Sequence, residues 1–319
     1  MKKAFIWMSF ILGVLSICFA CQKQQECKKT IAILTPATHP SLIKIEEAFI
    51  RTMLEDKGDE YRFVIYNAQG NKTLMHSEIE EISQKNHALV LTLGTIASRM
   101  TKELFDKKRI ATPIVFTCVP DPIGFDIAPG PRITGVEEIL HIDKALTLLI
   151  KSKPSIQSLL LVYNPVDAGA HKSKQDVEDF LKKHNISLIA IETFQTNEIQ
   201  LKVAPFMEKA DAVLVLKDNT VVSGLDILVK LCNRFQIPLM ASDLDSPARG
   251  AALAYGVYEE DFGIEAARKA LRILKEGVSP ETIAITPILN FSLRVNLQAA
   301  KKQGLTLTFI ETLDYEAVQ

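Results

Sequence analysis

From Lys29 onward, apolar runs of strand length alternate with amphipathic stretches of helical period. Ile31–Leu34 precedes a helical pattern at Leu42–Leu54, Phe63–Tyr66 one at Thr73–Ser83, and Ala88–Leu93 one at Ile96–Phe105, with Ile114–Cys118 closing the series. A second series pairs Leu159–Tyr163 with Lys172–Lys183, Leu188–Ile191 with Glu198–Met207, and Ala212–Leu216 with Val221–Phe235. Pro238–Ala241, Ala251–Tyr255 and a long helix at Asp261–Lys275 complete it. Strands apolar on both faces and separated by helices of about 10–15 residues predict parallel sheets covered on both sides. Tight antiparallel hairpins do not fit that spacing.

The alternation breaks near Thr134–Asp143. The expected fold is therefore α/β: two doubly wound parallel-sheet lobes facing a cleft. Residues 30–139 with about 258–285 would form the N-terminal lobe, and 140–257 with about 286–319 the C-terminal lobe. One continuous sheet is the alternative, disfavoured because single cores stop growing near about 250–300 residues.

The N-terminus changes where such a molecule would work. Met1-Lys2-Lys3 leads an uncharged, mostly apolar run from Ala4 to Ala20, then Cys21 and the polar stretch Gln22–Lys29. A basic start, an apolar middle and a small residue before cysteine make an export signal, with 21–29 as tether. An uncleaved N-terminal anchor is the competing reading, since about 17 residues is the lower limit for a spanning helix. The segment ending at Ala20-Cys21 resembles a bacterial lipoprotein signal, departing from it at Cys18. This implies residues 1–20 are removed and Cys21 is lipidated. The chain is thus expected to be exported and held at a membrane, facing the periplasm or the cell surface.

Charge is balanced, 37 Lys+Arg against 38 Asp+Glu, with no concentrated basic face for nucleic acid. Of the remaining cysteines, Cys118 sits in an apolar strand and Cys232 in a helical stretch, and with Cys27 the number is odd. No structural disulfide is expected.

In open parallel sheets, ligands bind beyond the carboxyl ends of the strands. Small polar residues gather there: Thr35, Gln69, Gly94-Thr95, Thr117, Asp121, Asn164, Asp218-Asn219 and Asp243. Taken singly, Thr95 and Asn219 read equally as helix caps, and Asp121 between prolines as a turn former. Together they suit a small polar ligand between lobes, and a free amino acid fits the set. Gly94-Thr95 ahead of a helix offers N–H and hydroxyl donors to a carboxylate, while Asp121, Asp218, Asn219 and Asp243 offer acceptors to an ammonium. Tyr66, Phe116, Tyr163 and Tyr255 near strand ends could wall a flat side chain, or simply pack in the core. His39, in Thr38-His39-Pro40-Ser41, could touch the ligand or cap the following helix.

Enzyme motifs are missing. The chain has no G-x-S-x-G elbow, no phosphate loop and no dinucleotide turn, and its six histidines never form H-E-x-x-H. No cofactor and no metal site are expected. A secreted α/β enzyme using Asp121 with Asp243 for acid/base work stays as a distant alternative.

The ordered series His39-Pro40-Ser41-Leu42, Tyr66-Asn67-Ala68-Gln69-Gly70-Asn71, Gly94-Thr95, Asp121-Pro122, Thr134-Gly135-Val136 and Tyr163-Asn164-Pro165 resembles substrate-binding lipoproteins of ABC importers. Asp218-Asn219-Thr220-Val221, Ala241-Ser242-Asp243, Arg249-Gly250-Ala251-Ala252 and Val295-Asn296 extend the likeness. It is nearest to the family with tryptophan- and tyrosine-binding members. The resemblance implies a type I periplasmic-binding fold, a monomeric clamp that closes on its ligand and delivers it to a permease driven by an ATPase. It also implies an amino-acid ligand, possibly aromatic. Pro120, and Val166-Asp167-Ala168-Gly169 after Pro165, depart from the family pattern and remove expected contacts. A sensor feeding a membrane signalling protein is the alternative role for the same clamp.

Overall fold

The computed structural model describes residues 28–57 and 60–318. The signal, Cys21 and Cys27 lie outside the described residues. The chain opens with strand β1 (Lys29–Thr35), helix α1 (Pro40–Lys57), β2 (Tyr61–Asn67) and α2 (Lys72–Gln84). Then come β3 (Leu89–Leu93), α3 (Thr95–Lys108), β4 (Ile114–Val119) and β5 (Ile133–Glu137). The next stretch runs α4 (Ile142–Ser152), β6 (Ser158–Tyr163), α5 (Ala168–Lys183), β7 (Ser187–Glu192), α6 (Ile199–Val203) and β8 (Ala212–Val215). It ends with α7 (Asn219–Ser223), α8 (Leu225–Phe235), β9 (Leu239–Ala241) and β10 (Leu253–Gly256). After α9 (Glu259–Leu274) come β11 (Thr286–Pro287), β12 (Ser292–Asn296), α10 (Leu297–Lys302), α11 (Leu307–Ile310) and β13 (Glu316–Val318).

These strands form two sheets, ordered β11-β5-β4-β3-β1-β2 and β13-β12-β10-β9-β8-β6-β7. Both are parallel throughout except where β12 runs antiparallel to β10. Each is doubly wound, as the run of two-sided apolar strands predicts. Helices α1 and α9 cover one face of the first sheet through Ile45, Phe49, Phe262 and Ala266, while α2 and α3 cover the other through Met75, Ile79 and Phe105. In the second sheet, α4 and α5 pack on one face through Leu146, Leu149 and Val177, and α6 and α8 on the other through Ile199, Leu225 and Leu228.

The chain passes between the sheets three times: after β5, between β10 and α9, and between β11 and β12. Sheet membership carries the returning segment through Pro287. Helix α9 returns to the first lobe and lies so close to α1 that a Cβ on Gly263 would stand 2.2 Å from the Ile45 carbonyl oxygen. Only glycine permits that approach.

The break expected near Thr134–Asp143 contains β5 and the start of α4. The helix expected at Val221–Phe235 divides at Gly224 into α7 and α8, and the one at Glu198–Met207 is the short α6 flanked by 3-10 turns. Cys118 in β4 and Cys232 in α8 are free thiols. Among the described residues no helix is long and apolar enough to cross a membrane.

Candidate functional site

A cavity of about 360 Å³ lies between the lobes, on the carboxyl side of both sheets. In each sheet it opens at the place where strand order reverses. In the first, the segments after β1 (Pro36, Ala37, His39) and β3 (Gly94, Thr95) meet. In the second, the segments after β6 (Asn164, Val166, Asp167) and β8 (Lys217, Asp218, Asn219) meet. Connections there leave in opposite directions, so the strand ends part and leave a crevice.

Of the residues expected at the site, Gly94, Thr95, Asn164, Asp218, Asn219 and Asp243 line this cavity. Gly94 caps α3 at φ +80, with no side-chain hydrogen bond to the first-turn N–H groups, and nothing would crowd a Cβ there. Gly94, Thr95 and Ile96, at the start of α3, line the cavity. The caps fall one residue earlier than expected: Gly94 rather than Thr95 for α3, and Asp218 rather than Asn219 for α7. Asp218 accepts from Thr220 N–H at 2.9 Å, Val221 N–H at 3.2 Å and Asn164 N–H at 2.6 Å. Asn164 donates from its amide to Thr220 Oγ1 at 3.0 Å, tying the β6 and β8 loops together. Asp243 accepts from Ser246 Oγ at 2.6 Å, Ser246 N–H at 3.0 Å and Asp245 N–H at 3.2 Å. Asp243 shapes the cavity wall through its own loop, and Asp218 through its own loop and the one after β6.

The other expected residues are placed elsewhere. Phe116 and Thr117 are fully buried in β4, and Thr35 is buried at the end of β1 with its hydroxyl donating to the Ala37 carbonyl at 3.2 Å. Tyr163 donates to Glu192 Oε1 at 2.9 Å across the β6–β7 pair. Tyr255 stacks on Phe291 behind the cavity. Gln69 is exposed beyond the edge strand β2, and Asp121 accepts from Gly124 N–H at 2.8 Å within a turn. Tyr66 packs edge-on against His87. Among the described residues, no Phe, Tyr or Trp lines the cavity. Its apolar wall is aliphatic, with Leu42, Ile45, Ile96, Leu140, Val166 and Val222.

The structure adds charged residues that strand-end reasoning missed. Lys217 Nζ lies 2.9 Å from Glu138 Oε1 and 2.9 Å from Glu259 Oε1, all three side chains being nearly excluded from solvent. Glu138 follows β5, Lys217 follows β8 and Glu259 begins α9, so the cluster joins both lobes beside two crossovers. Lys217 also sits over the Phe262 ring, 4.8 Å from its centroid. Burial opposes charge on Lys217, but the two glutamates outweigh it and hold the ammonium above its ordinary range. Burial pushes the Glu259 carboxyl up to about 7 despite the adjacent lysine. A second ion pair, Lys44 with Asp245 at 2.7 Å, links α1 to the loop after β9.

His39 is another residue of this wall. Its Nδ1 accepts the Ser41 N–H at 3.2 Å, which leaves the proton of the neutral ring on Nε2. Burial lowers its pKa, so the ring is neutral near pH 7. Nε2 is buried and has no hydrogen-bond partner among the described residues.

A two-sheet clamp with a polar cavity at both switch points is the architecture of a solute receptor, and the family model for ABC transporter substrate binding protein matches residues 30–318. The chain belongs to that family. A tyrosine-binding protein of Clostridioides difficile (strain R20291) is 26% identical over 301 residues, covering 90% of this chain and 84% of that one. A Streptococcus pneumonia ABC domain in complex with L-Trp superposes with a TM-score of 0.84 at 19% identity, covering 91% of this chain and all, 100%, of that one. A ligand-free, open substrate-binding protein with adhesive properties from Clostridium difficile gives 0.68 at 20% identity, covering 91% of this chain and 100% of that chain. These likenesses place the fold among type I periplasmic-binding proteins. Members of this family bind a small molecule for an ABC transporter and are not enzymes.

Proposed function

We propose that this substrate-binding protein captures a free amino acid between its lobes and delivers it to an ABC permease, working outside the cytoplasm with lipid on Cys21 as its anchor. The observation that carries the ligand class is a set of buried polar atoms, on residues that line the cavity, without hydrogen-bond partners among the described residues. Among the described residues these are three donors, His39 Nε2, Arg99 Nε and Lys217 Nζ, and one acceptor, Glu259 Oε1. Two ion pairs modify this picture. Lys217 and Glu259 face each other at ion-pair distance without hydrogen-bonding angles, and Arg99 Nε lies 3.6 Å from Glu103.

Burying an unsatisfied polar group costs about 1–3 kcal/mol, so a ligand that satisfies donors and acceptors together gains most. A zwitterion does so in one small molecule. Its carboxylate suits the N-terminus of α3, which has no side-chain cap, and the His39 N–H, both on residues that line the cavity. The cavity, near the lower end of the usual size range for ligand sites, holds one such molecule. The tyrosine-binding and Trp-bound relatives favour an aromatic side chain, which here would rest on aliphatic rather than aromatic walls.

A thermal-shift panel of free amino acids, nucleosides and small organic acids tests this reading. A true ligand at about a hundredfold its Kd stabilises the native state by about 2.7 kcal/mol, or roughly 5 °C in Tm. Shifts confined to nucleosides or to organic acids lacking an amino group would contradict it.

A further inference from the structure

The notable feature of the Glu138–Lys217–Glu259 cluster is its charge balance. One ammonium stands against two carboxylates, so a buried group facing the cavity carries a surplus negative charge. Surrounding charges do not offset it. Asp243 and the Cys118 thiol face the cluster without adding positive charge, and Lys44 on α1, the other nearby cation, is engaged by Asp245 and Glu260.

The remaining carboxylates of the wall are committed to backbone. Asp218 accepts two hydrogen bonds within its own loop and one from Asn164 N–H on the loop after β6, Asp243 accepts three within its own loop, and Asp167 accepts the Ala170 N–H at 3.0 Å as the cap of α5. Glu259, 6% exposed, is different: among the described residues it accepts no hydrogen bond from backbone, and its buried Oε1 faces the Lys217 ammonium at 2.9 Å. A carboxylate has about four lone-pair sites, and this one has the most capacity left.

We propose that Glu138 and Glu259, bridged by Lys217, form the cationic subsite of the cleft and receive the ammonium group of the bound amino acid. The proposal rests on the amino-acid reading above and gives the ammonium a location distinct from Asp121, Asp218 and Asp243. Lys217 keeps two glutamates together at a crossover, where either alone would be costly to bury. The ligand ammonium supplies the one positive charge the cluster lacks. A proton can supply it too: the Glu259 carboxyl, pushed up to about 7, takes one as the pH falls. Ligand and proton therefore compete. Affinity should be flat above pH 7 and fall toward about tenfold per pH unit below it.

Isothermal titration of the mature protein with L-tryptophan, L-tyrosine and 3-indolepropionate, which lacks the amino group, provides the test. At pH 8 the wild type should bind at least one amino acid, and 3-indolepropionate roughly tenfold to hundredfold more weakly, as expected for loss of a charge-assisted contact. Glu259→Gln should weaken amino-acid binding by a similar factor, leave 3-indolepropionate unchanged and abolish the pH dependence. Glu138→Gln should act in the same direction. To separate a folding defect, the Tm of Glu259→Gln should match the wild type at pH 6, where Glu259 is largely protonated. Wild-type amino-acid affinity and pH slope retained in both variants would overturn the subsite alone. Equal loss for the amino acid and 3-indolepropionate would also overturn it, assigning Glu259 a purely structural role. A wild type that binds neither amino acid would remove the parent reading and the subsite with it.

Discussion

Replacing Lys217 by methionine should expose how far the cluster supports the fold. The substitution keeps a side chain of similar length and apolar character but deletes the charge, and with it the contact of the ammonium with the Phe262 ring. Two carboxylates, each 2.9 Å from the ammonium, lose their counter-ion while their side chains stay 12% and 6% exposed. At an effective dielectric near 20, each attraction is roughly 6 kcal/mol, most of it offsetting the desolvation of the charges. Removing one partner from such a buried pair typically costs about 3–5 kcal/mol. At about 2 °C per kcal/mol for a chain of this size, Tm should fall by roughly 6–10 °C at pH 8.

The pH dependence has a definite sign. Glu259 is held at about 7 in the folded protein, above its ordinary 4.5, so the folded state binds its proton more tightly than the unfolded chain. Stability from that group is present at low pH and lost as pH rises through 7. The methionine variant raises the carboxyl further, so its deficit should shrink between pH 8 and pH 6. Adding Glu138→Gln and Glu259→Gln to Lys217→Met should recover most of the loss, because neutral side chains need no counter-ion. Differential scanning calorimetry decides the matter. A deficit under about 2 °C at pH 8, or one that grows toward acid, would refute the reasoning.

Three further outcomes are expected. Thr95→Ala should weaken amino-acid binding with Tm nearly unchanged, because Thr95 is not the cap of α3, whereas Asp243→Ala should lower Tm by about 2–6 °C through loss of three hydrogen bonds; calorimetric titration and melting separate the two. Gly263→Ala should cost about 1–3 kcal/mol in urea unfolding, since its Cβ would meet the Ile45 carbonyl at 2.2 Å. Cys21→Ala should move the protein from the membrane to the soluble fraction on cell fractionation, and unchanged fractionation would contradict lipidation.

The sheets were legible because strands covered on both faces must be apolar at consecutive positions, as Ile31–Leu34 and Ala212–Leu216 are. β5 escaped notice because Ile133–Glu137 is short and interrupted by Thr134 and Gly135. The candidate site was legible by a narrower rule. Gly94, Thr95, Asn164, Asp218, Asn219 and Asp243 line the cavity, and all lie just beyond the last residue of a strand. Thr35, Phe116, Thr117, Tyr163 and Tyr255 belong to the strands themselves, where helices on both faces enclose them. Gln69 follows a strand but at the sheet edge, away from the reversal of order.

The charged cluster was hidden for another reason. Glu138 and Glu259 are on crossovers, whose convergence is a property of tertiary structure, and Glu259-Glu260-Asp261 reads locally as an acidic helix start. Lys217 gave the one available signal, a lysine directly after the buried apolar run Ala212–Leu216.

The most direct test of the central claim is a crystal structure of the mature protein with the amino acid that stabilises it most. One molecule should lie between the lobes, its ammonium within hydrogen-bond distance of Glu259 or Glu138 and its carboxylate at the start of α3 or at His39 Nε2. A bound amino acid outside that cavity, or one turned so that its ammonium meets neither glutamate, would contradict the claim.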